Sequence, residues 1–154
     1  MIRTEKRMRL CTALLVLNVL IIWGSSSLPG QISGAISGWL RDLIASLFGG
    51  GAGESDTGHG LLRKLGHFVE FACLGAGFTW LFSMLKKPVA LSLLCGFSVA
   101  CVDETIQCFI PERGPSVKDV LLDTAGVAFG LALILMGCAI YKRKNKKLLE
   151  EKQL

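Results

Sequence analysis

The apolar positions of this 154-residue chain fall in long uninterrupted blocks, not in alternation. Leu10 to Leu28 carries no charge, and Pro29-Gly30 closes that block. Three more follow over 65–85, 89–110 and 119–141, separated by Lys86-Lys87-Pro88 and by a polar loop from Glu112 to Lys118. About 20 residues at ~1.5 Å each cross a hydrocarbon core of ~30 Å. The pattern predicts an all-α membrane protein with four transmembrane helices, over 10–28, 65–85, 89–110 and 119–141.

Residues 31–48 read differently. Ile32, Ile36, Trp39, Leu40, Leu43, Ile44, Leu47 and Phe48 recur at helical spacing, while Ser33, Ser37, Arg41 and Ser46 fall towards the other side. This is the pattern of an interfacial amphipathic helix between spans one and two. A short lid packed over the bundle fits the same composition. A glycine linker, Gly49-Gly50-Gly51 with Gly53, then leads through His59 to the second span. No internal repeat is evident.

Charge fixes the orientation. Twelve of the 17 Lys and Arg lie in 1–9, 86–88 and 142–154; the other five are Arg41, Arg63, Lys64, Arg113 and Lys118. Basic residues concentrate on the cytoplasmic side, so the rule predicts both termini inside. The chain divides into a basic N-terminus (1–9), a transmembrane domain (10–141) and a basic tail (142–154). The net charge of +5 marks topology and not a phosphate-binding face, so nucleic acid is no expected partner. A mean hydropathy of +0.53 and 51% apolar residues exclude an ordinary soluble domain of this size.

The first block is longer than a signal-peptide core and has no A-x-A-like cleavage site after it. It reads as an uncleaved first helix, with Ser25-Ser26-Ser27 at its far end. The cysteines (11, 73, 95, 101, 108 and 138) lie within apolar blocks without a CxxC pair, and read as small buried hydrophobes.

Ionisable residues inside the spans carry the chemistry. His67 and Glu70 lie in the second span, Asp103, Glu104 and Gln107 near the end of the third, and Asp119 and Asp123 at the start of the fourth. All fall within roughly 10 Å of the outer mouths of their helices. A charge facing lipid costs at least ~2.5–3.5 kcal/mol, so these groups are expected to turn inward together. Asp119, Asp123, Gly126, Gly130 and Gly137 share one stripe of the fourth span, which aims the acids at a close helix contact. A purely structural salt-bridge cluster is the rival reading.

His67 beside Glu70 suits general-base or nucleophilic work. Arg113 and Lys64 suit phosphate, Arg through its fork. Asp103, Asp119 and Asp123 could hold a metal; the cofactor stays open, with one His and several carboxylates suiting Mg²⁺ or Mn²⁺ more than structural Zn²⁺. Ser116 reads as a helix cap before Asp119.

These residues resemble the VanZ-like family. The run Lys64-x-x-His67-x-x-Glu70-Phe71, then Asp103-Glu104-x-x-Gln107-x-Phe109-Ile110-Pro111-x-Arg113, then Ser116-x-x-Asp119-Val120-x-x-Asp123-x-x-Gly126 carries the resemblance over residues 10–140. Asp123 departs from it, that position often being Asn. The stretch 31–48 has no counterpart there. The resemblance implies a multi-pass protein of the bacterial inner membrane, in a family named for low-level teicoplanin resistance. It also implies hydrolysis or exchange of headgroups on phospholipids or polyprenyl-linked cell-wall lipids. His67, Glu70, Asp103, Glu104, Gln107, Arg113, Asp119 and Asp123 would form that active site. A protein that binds or shields cell-wall precursors without chemistry is the alternative. A transporter ranks last, since the inner halves of the spans are apolar. Oligomeric state is not legible.

Overall fold

A computed structural model describes residues 2–48, 56–111 and 113–151. Five α-helices make up the described chain, α1 (Ile2–Ser26), α2 (Gly30–Phe48), α3 (Asp56–Met84), α4 (Leu91–Gln107) and α5 (Val117–Glu151), with no strand among the described residues. The glycine linker lies outside the described residues.

Three stretches are long and apolar enough to cross a membrane: Thr4–Ser26, Leu62–Met84 and Val117–Lys146. The four apolar blocks thus correspond to α1, α3, α4 and α5, with shifted ends. The helices of α3 and α5 begin before the apolar residues and α5 runs on into the basic tail. α4 is the short one. Its 17 residues span about 25 Å as an α-helix, and a tighter turn through Cys108, Phe109 and Ile110 adds to it.

Packing fixes the directions. A Cβ on Gly126 would meet Phe68 O at 2.6 Å, and one on Gly130 would meet the backbone of Ala72 and Ala76. Advancing along α5 therefore advances along α3, and the two helices are parallel. Gly75 repays the contact, facing the backbone of Val127. Small residues let the two backbones touch where apolar side chains gain nothing by leaving lipid. The Phe68 and Phe129 rings flank the seam, 5.7 Å apart. Gly137 meets nothing, so the glycine stripe ends at Gly130, two turns earlier than its spacing suggests.

Since α3 and α5 run the same way, α4 must return across the height of the bundle between them. Thr79 on α3 and Ser92 on α4, both buried, join by a hydrogen bond of 3.1 Å near the turn. α1 lies antiparallel to α3, with Cys11 Sγ donating to Gly77 O at 3.6 Å. Leu15, Ile22, Phe71, Leu74, Ala100 and Val127 form the core between these four helices.

The end of α3 is a left-handed cap. Lys86 takes φ 55°, with Lys87 N–H donating to Phe82 O at 2.9 Å and Lys86 N–H to Ser83 O at 3.3 Å. Glycine is the usual occupant of such a position, since a side chain there costs roughly 1–2 kcal/mol. Lys86→Gly is expected to stabilise the fold by about 1 kcal/mol, read as a higher thermal midpoint in detergent.

α2 packs against α3 and presents Ile32, Ile36, Trp39 and Leu43 uncovered, Trp39 at 67% exposure. Between α1 and α3 an apolar groove of ≈ 630 Å³ runs from Arg7 to Ile21, floored by Ala76 and Gly77 and closed at one side by Ile134 of α5. None of the six cysteines is core: Cys73, Cys108 and Cys138 are exposed and the others half-buried, all as free thiols. The expectation that they are buried is corrected accordingly. Their blocks are lipid-length helices with little interior to bury them.

Candidate functional site

The polar residues gather where α1 and α4 end and α3 and α5 begin. Ser26, the last residue of α1, is fully buried, and its hydroxyl donates to Asp103 Oδ2 at 2.8 Å. Gln107, one turn along α4, donates from Nε2 to the same oxygen at 2.9 Å and to Ser26 Oγ at 3.4 Å. Two donors on Oδ2 fix the carboxylate and leave Oδ1 to face elsewhere. Oδ1 is buried and has no hydrogen-bond partner among the described residues.

His67 from α3 and Asp123 from α5 stand beside this carboxylate. One ring nitrogen of His67 and one oxygen each of Asp103 and Asp123 lie within 4.8 Å of one another. Asp103 is 0% exposed and Asp123 2%. His67 Nδ1 is also buried without a partner. Beside this cluster is a cavity of ≈ 10 Å³, lined from α3 by Arg63, Lys64 and His67, from α4 by Glu104 and Gln107, and from α5 by Asp119, Leu122 and Asp123. That is room for about one water, with several polar partners within reach.

The rim is cationic. Lys64 Nζ pairs with Asp119 Oδ1 at 2.9 Å, the two side chains being 51% and 22% exposed. A pair so wet contributes little stability and can be exchanged for a competing anion. Arg113, in the loop after α4, donates from Nη1 to Ser26 O at 2.9 Å, while its Nε and Nη2 are buried without partners. The free Nε–Nη2 edge is the fork that takes two oxygens of one carboxylate or phosphate. Burial, chiefly, and then nearby Arg63 lower this guanidinium from its ordinary value, against Asp103 and Glu104, which raise it. It stays charged, because a guanidinium is not deprotonated in proteins.

Glu104 does something else. Its Oε2 accepts the Ser116 N–H at 2.7 Å, at the first turn of α5. A carboxylate there satisfies an otherwise orphaned helix donor and meets the positive end of the helix dipole. Ser116 thus takes part in a cap through its backbone, with Glu104 as the capping group.

Glu70 stands apart from the pocket. Three residues turn a helix by about 300°, which carries Glu70 off the His67 face and into line with Gly77, towards α1. It stays within electrostatic reach of Asp103 and Asp123, but does not line the cavity. The neighbour that replaces it beside His67 is Asp103.

Of the residues singled out from sequence, Lys64, His67, Glu104, Gln107, Asp119 and Asp123 line the cavity, Asp103 stands beside His67 and Asp123, and Arg113 lies next to Ser26. Ser26 and Arg63 were not among them. Three consecutive serines point in three directions, and the sequence does not say which faces the bundle. Arg63 reads as a topology charge.

A family model described as VanZ/LLP1 matches residues 11–140. No curated protein and no solved structure matches the chain.

Proposed function

We propose, for a chain that belongs to the VanZ/LLP1 family, an enzyme that hydrolyses or exchanges the phosphate-linked headgroup of a membrane lipid. The observation that carries this reading is the meeting of His67, Asp103 and Asp123 beside a one-water cavity lined by Lys64 and Arg63, with the unused fork of Arg113 held nearby on Ser26. Intramembrane ionisable groups are functional by default.

The protein crosses the bacterial inner membrane four times, with both termini inside, and the site sits in the outer leaflet. The parallel course of α3 and α5, which α4 must rejoin, supports the fourth crossing. The basic ends of α1, α5 and the α3–α4 turn support the orientation. α2 lies in the outer interface with Ile32, Ile36, Trp39 and Leu43 in the acyl region; their exposure argues against a lid with its apolar face on the bundle.

In the reaction the lipid phosphate binds the Arg113 fork, Arg63 and Lys64. A water in the cavity attacks phosphorus, and its proton passes to the groups that line the cavity. The headgroup oxygen leaves and takes up a proton, giving a phosphomonoester lipid and a free alcohol. An incoming alcohol in place of water gives exchange. The α1–α3 groove holds a lipid chain below the site, its open side continuous with the bilayer.

The test is the full chain in proteoliposomes, assayed for headgroup release and exchange on phospholipids and polyprenyl diphosphates. His67→Ala should fall by ~100-fold or more, whether the imidazole moves the proton or positions the groups that do. Equal inertness of wild type and His67→Ala on every lipid would end this reading. Ala76→Trp fills the groove away from the chemistry. It is expected to raise KM for long-chain lipids several-fold with kcat unchanged, the signature of lost ground-state binding, and to spare short-chain analogues.

A further inference from the structure

We propose that His67, Asp103 and Asp123 bind a divalent transition-metal ion, Mn²⁺ or Zn²⁺, through one imidazole nitrogen and two carboxylate oxygens. The inference deepens the headgroup reading and rests on it for its place in the reaction, but its binding test stands alone.

Three observations point to a cation. The first is the free oxygen: Asp103 is fully buried, and its Oδ1 has no partner although Oδ2 has two donors. A ligating carboxylate is commonly held in this way, with neighbouring groups bonding the remaining oxygen and setting the angle. The second is the company it keeps. Asp103 and Asp123 share one 4.8 Å site with His67, and His67 Nδ1 is buried and unpartnered too. Two carboxylates buried side by side repel strongly unless positive charge or protons come between them. The third is that no basic side chain among the described residues bonds the free Asp103 oxygen. Lys64 is paired with Asp119, and Arg113 spends one nitrogen on the Ser26 carbonyl while its free edge is the phosphate fork.

The donor set narrows the ion. Metal–ligand distances of ~2.0–2.2 Å put ligand atoms about 3 Å apart, so the three groups need to draw in by roughly an ångström. A nitrogen donor favours Mn²⁺ or Zn²⁺ over Mg²⁺, which prefers oxygen alone. Three protein ligands leave positions open for water and for a phosphate oxygen, as in catalytic sites. The adjoining one-water cavity, lined by His67 and Asp123, would offer room for that water.

Binding of the ion assigns the proton. A histidine that ligates a metal is not the acceptor, so the attacking water gives its proton to Asp119. That carboxylate lines the same cavity and is the wettest acid of the group.

The experiment uses the full chain in phosphatidylcholine nanodiscs, stripped with chelator and titrated with Mn²⁺ alone while free Mn²⁺ is followed by electron paramagnetic resonance. One equivalent per chain is expected, with a nitrogen coupling in the bound spectrum and a metal-dependent rise in thermal midpoint. Asp103→Asn and Asp123→Asn should each weaken binding by at least about tenfold, and His67→Ala should also remove the nitrogen coupling. Glu70→Gln should keep the stoichiometry. No saturable Mn²⁺ on a folded wild type, or binding undiminished in the Asp103→Asn/Asp123→Asn pair, overturns the proposal. Full headgroup turnover by chelator-stripped protein overturns it while leaving the enzyme reading intact; tight metal on an inert chain does the reverse.

Discussion

Asp103→Asn is expected to lower headgroup turnover by roughly 100- to 1000-fold and to leave the protein folded. The substitution keeps the shape of the side chain. The Ser26 hydroxyl and the Gln107 amide both donate to one oxygen of Asp103. In the variant the amide carbonyl takes that place, because an NH₂ there would confront two donors. The NH₂ is then forced to the Oδ1 position, where it faces His67 and Asp123 with no negative charge. The bonds to α1 survive while the function of the free oxygen is lost, whether that is ligating an ion or holding the imidazole. The measurement is turnover beside a melting curve. A variant that melts with wild type yet retains more than a tenth of the activity removes Asp103 from the chemistry. Asp103→Leu is the contrasting case. It strands the Ser26 and Gln107 donors in a dry interior at about 1–3 kcal/mol each, so it should lose stability as well as activity.

The largest structural effect is expected at Gly130. A Cβ there would run into the Ala72 carbonyl and the Ala76 amide, which are backbone atoms and cannot rotate aside. Gly130→Leu must separate α3 from α5, costing about 3 kcal/mol or more by overpacking. Because that seam carries His67 on one side and Asp123 on the other, the pocket is lost with it. Size-exclusion chromatography in detergent should show aggregate where wild type gives one peak. Gly137 lies two turns further on the same stripe with nothing near it, so Gly137→Leu should behave as wild type. If both substitutions act alike, parallel packing of α3 on α5 is wrong.

Much of this was legible in the residues, because lipid imposes a strong code. Apolar blocks bounded by Lys and Arg marked the helices, and charges at matching depth marked the pocket. The Gly126–Gly130 spacing aimed Asp123 at a close helix contact, and the structure identifies the partner as α3. The details of facing were less legible. His67 and Glu70 sit close along the helix, yet the 60° between them suffices to send one to the pocket and the other towards α1. Glu104 read as chemistry together with Asp103 and Gln107; it does line the cavity, but its Oε2 is held by the Ser116 N–H at the start of α5. Ser26 was hidden among its like. Contacts such as Ser26 to Asp103 join residues 77 positions apart, and only the tertiary arrangement selects them.

The brevity of α4 has a consequence for how the chain is made. Its 17 residues end in Asp103, Glu104 and Gln107, so as a solitary segment leaving the ribosome it is a poor candidate for insertion. What relieves the acids is α1, already placed, and α5, not yet synthesised. On the four-crossing proposal, α4 enters the bilayer as half of a pair, delayed until its successor emerges, and a chain halted after Pro111 should leave it outside the lipid.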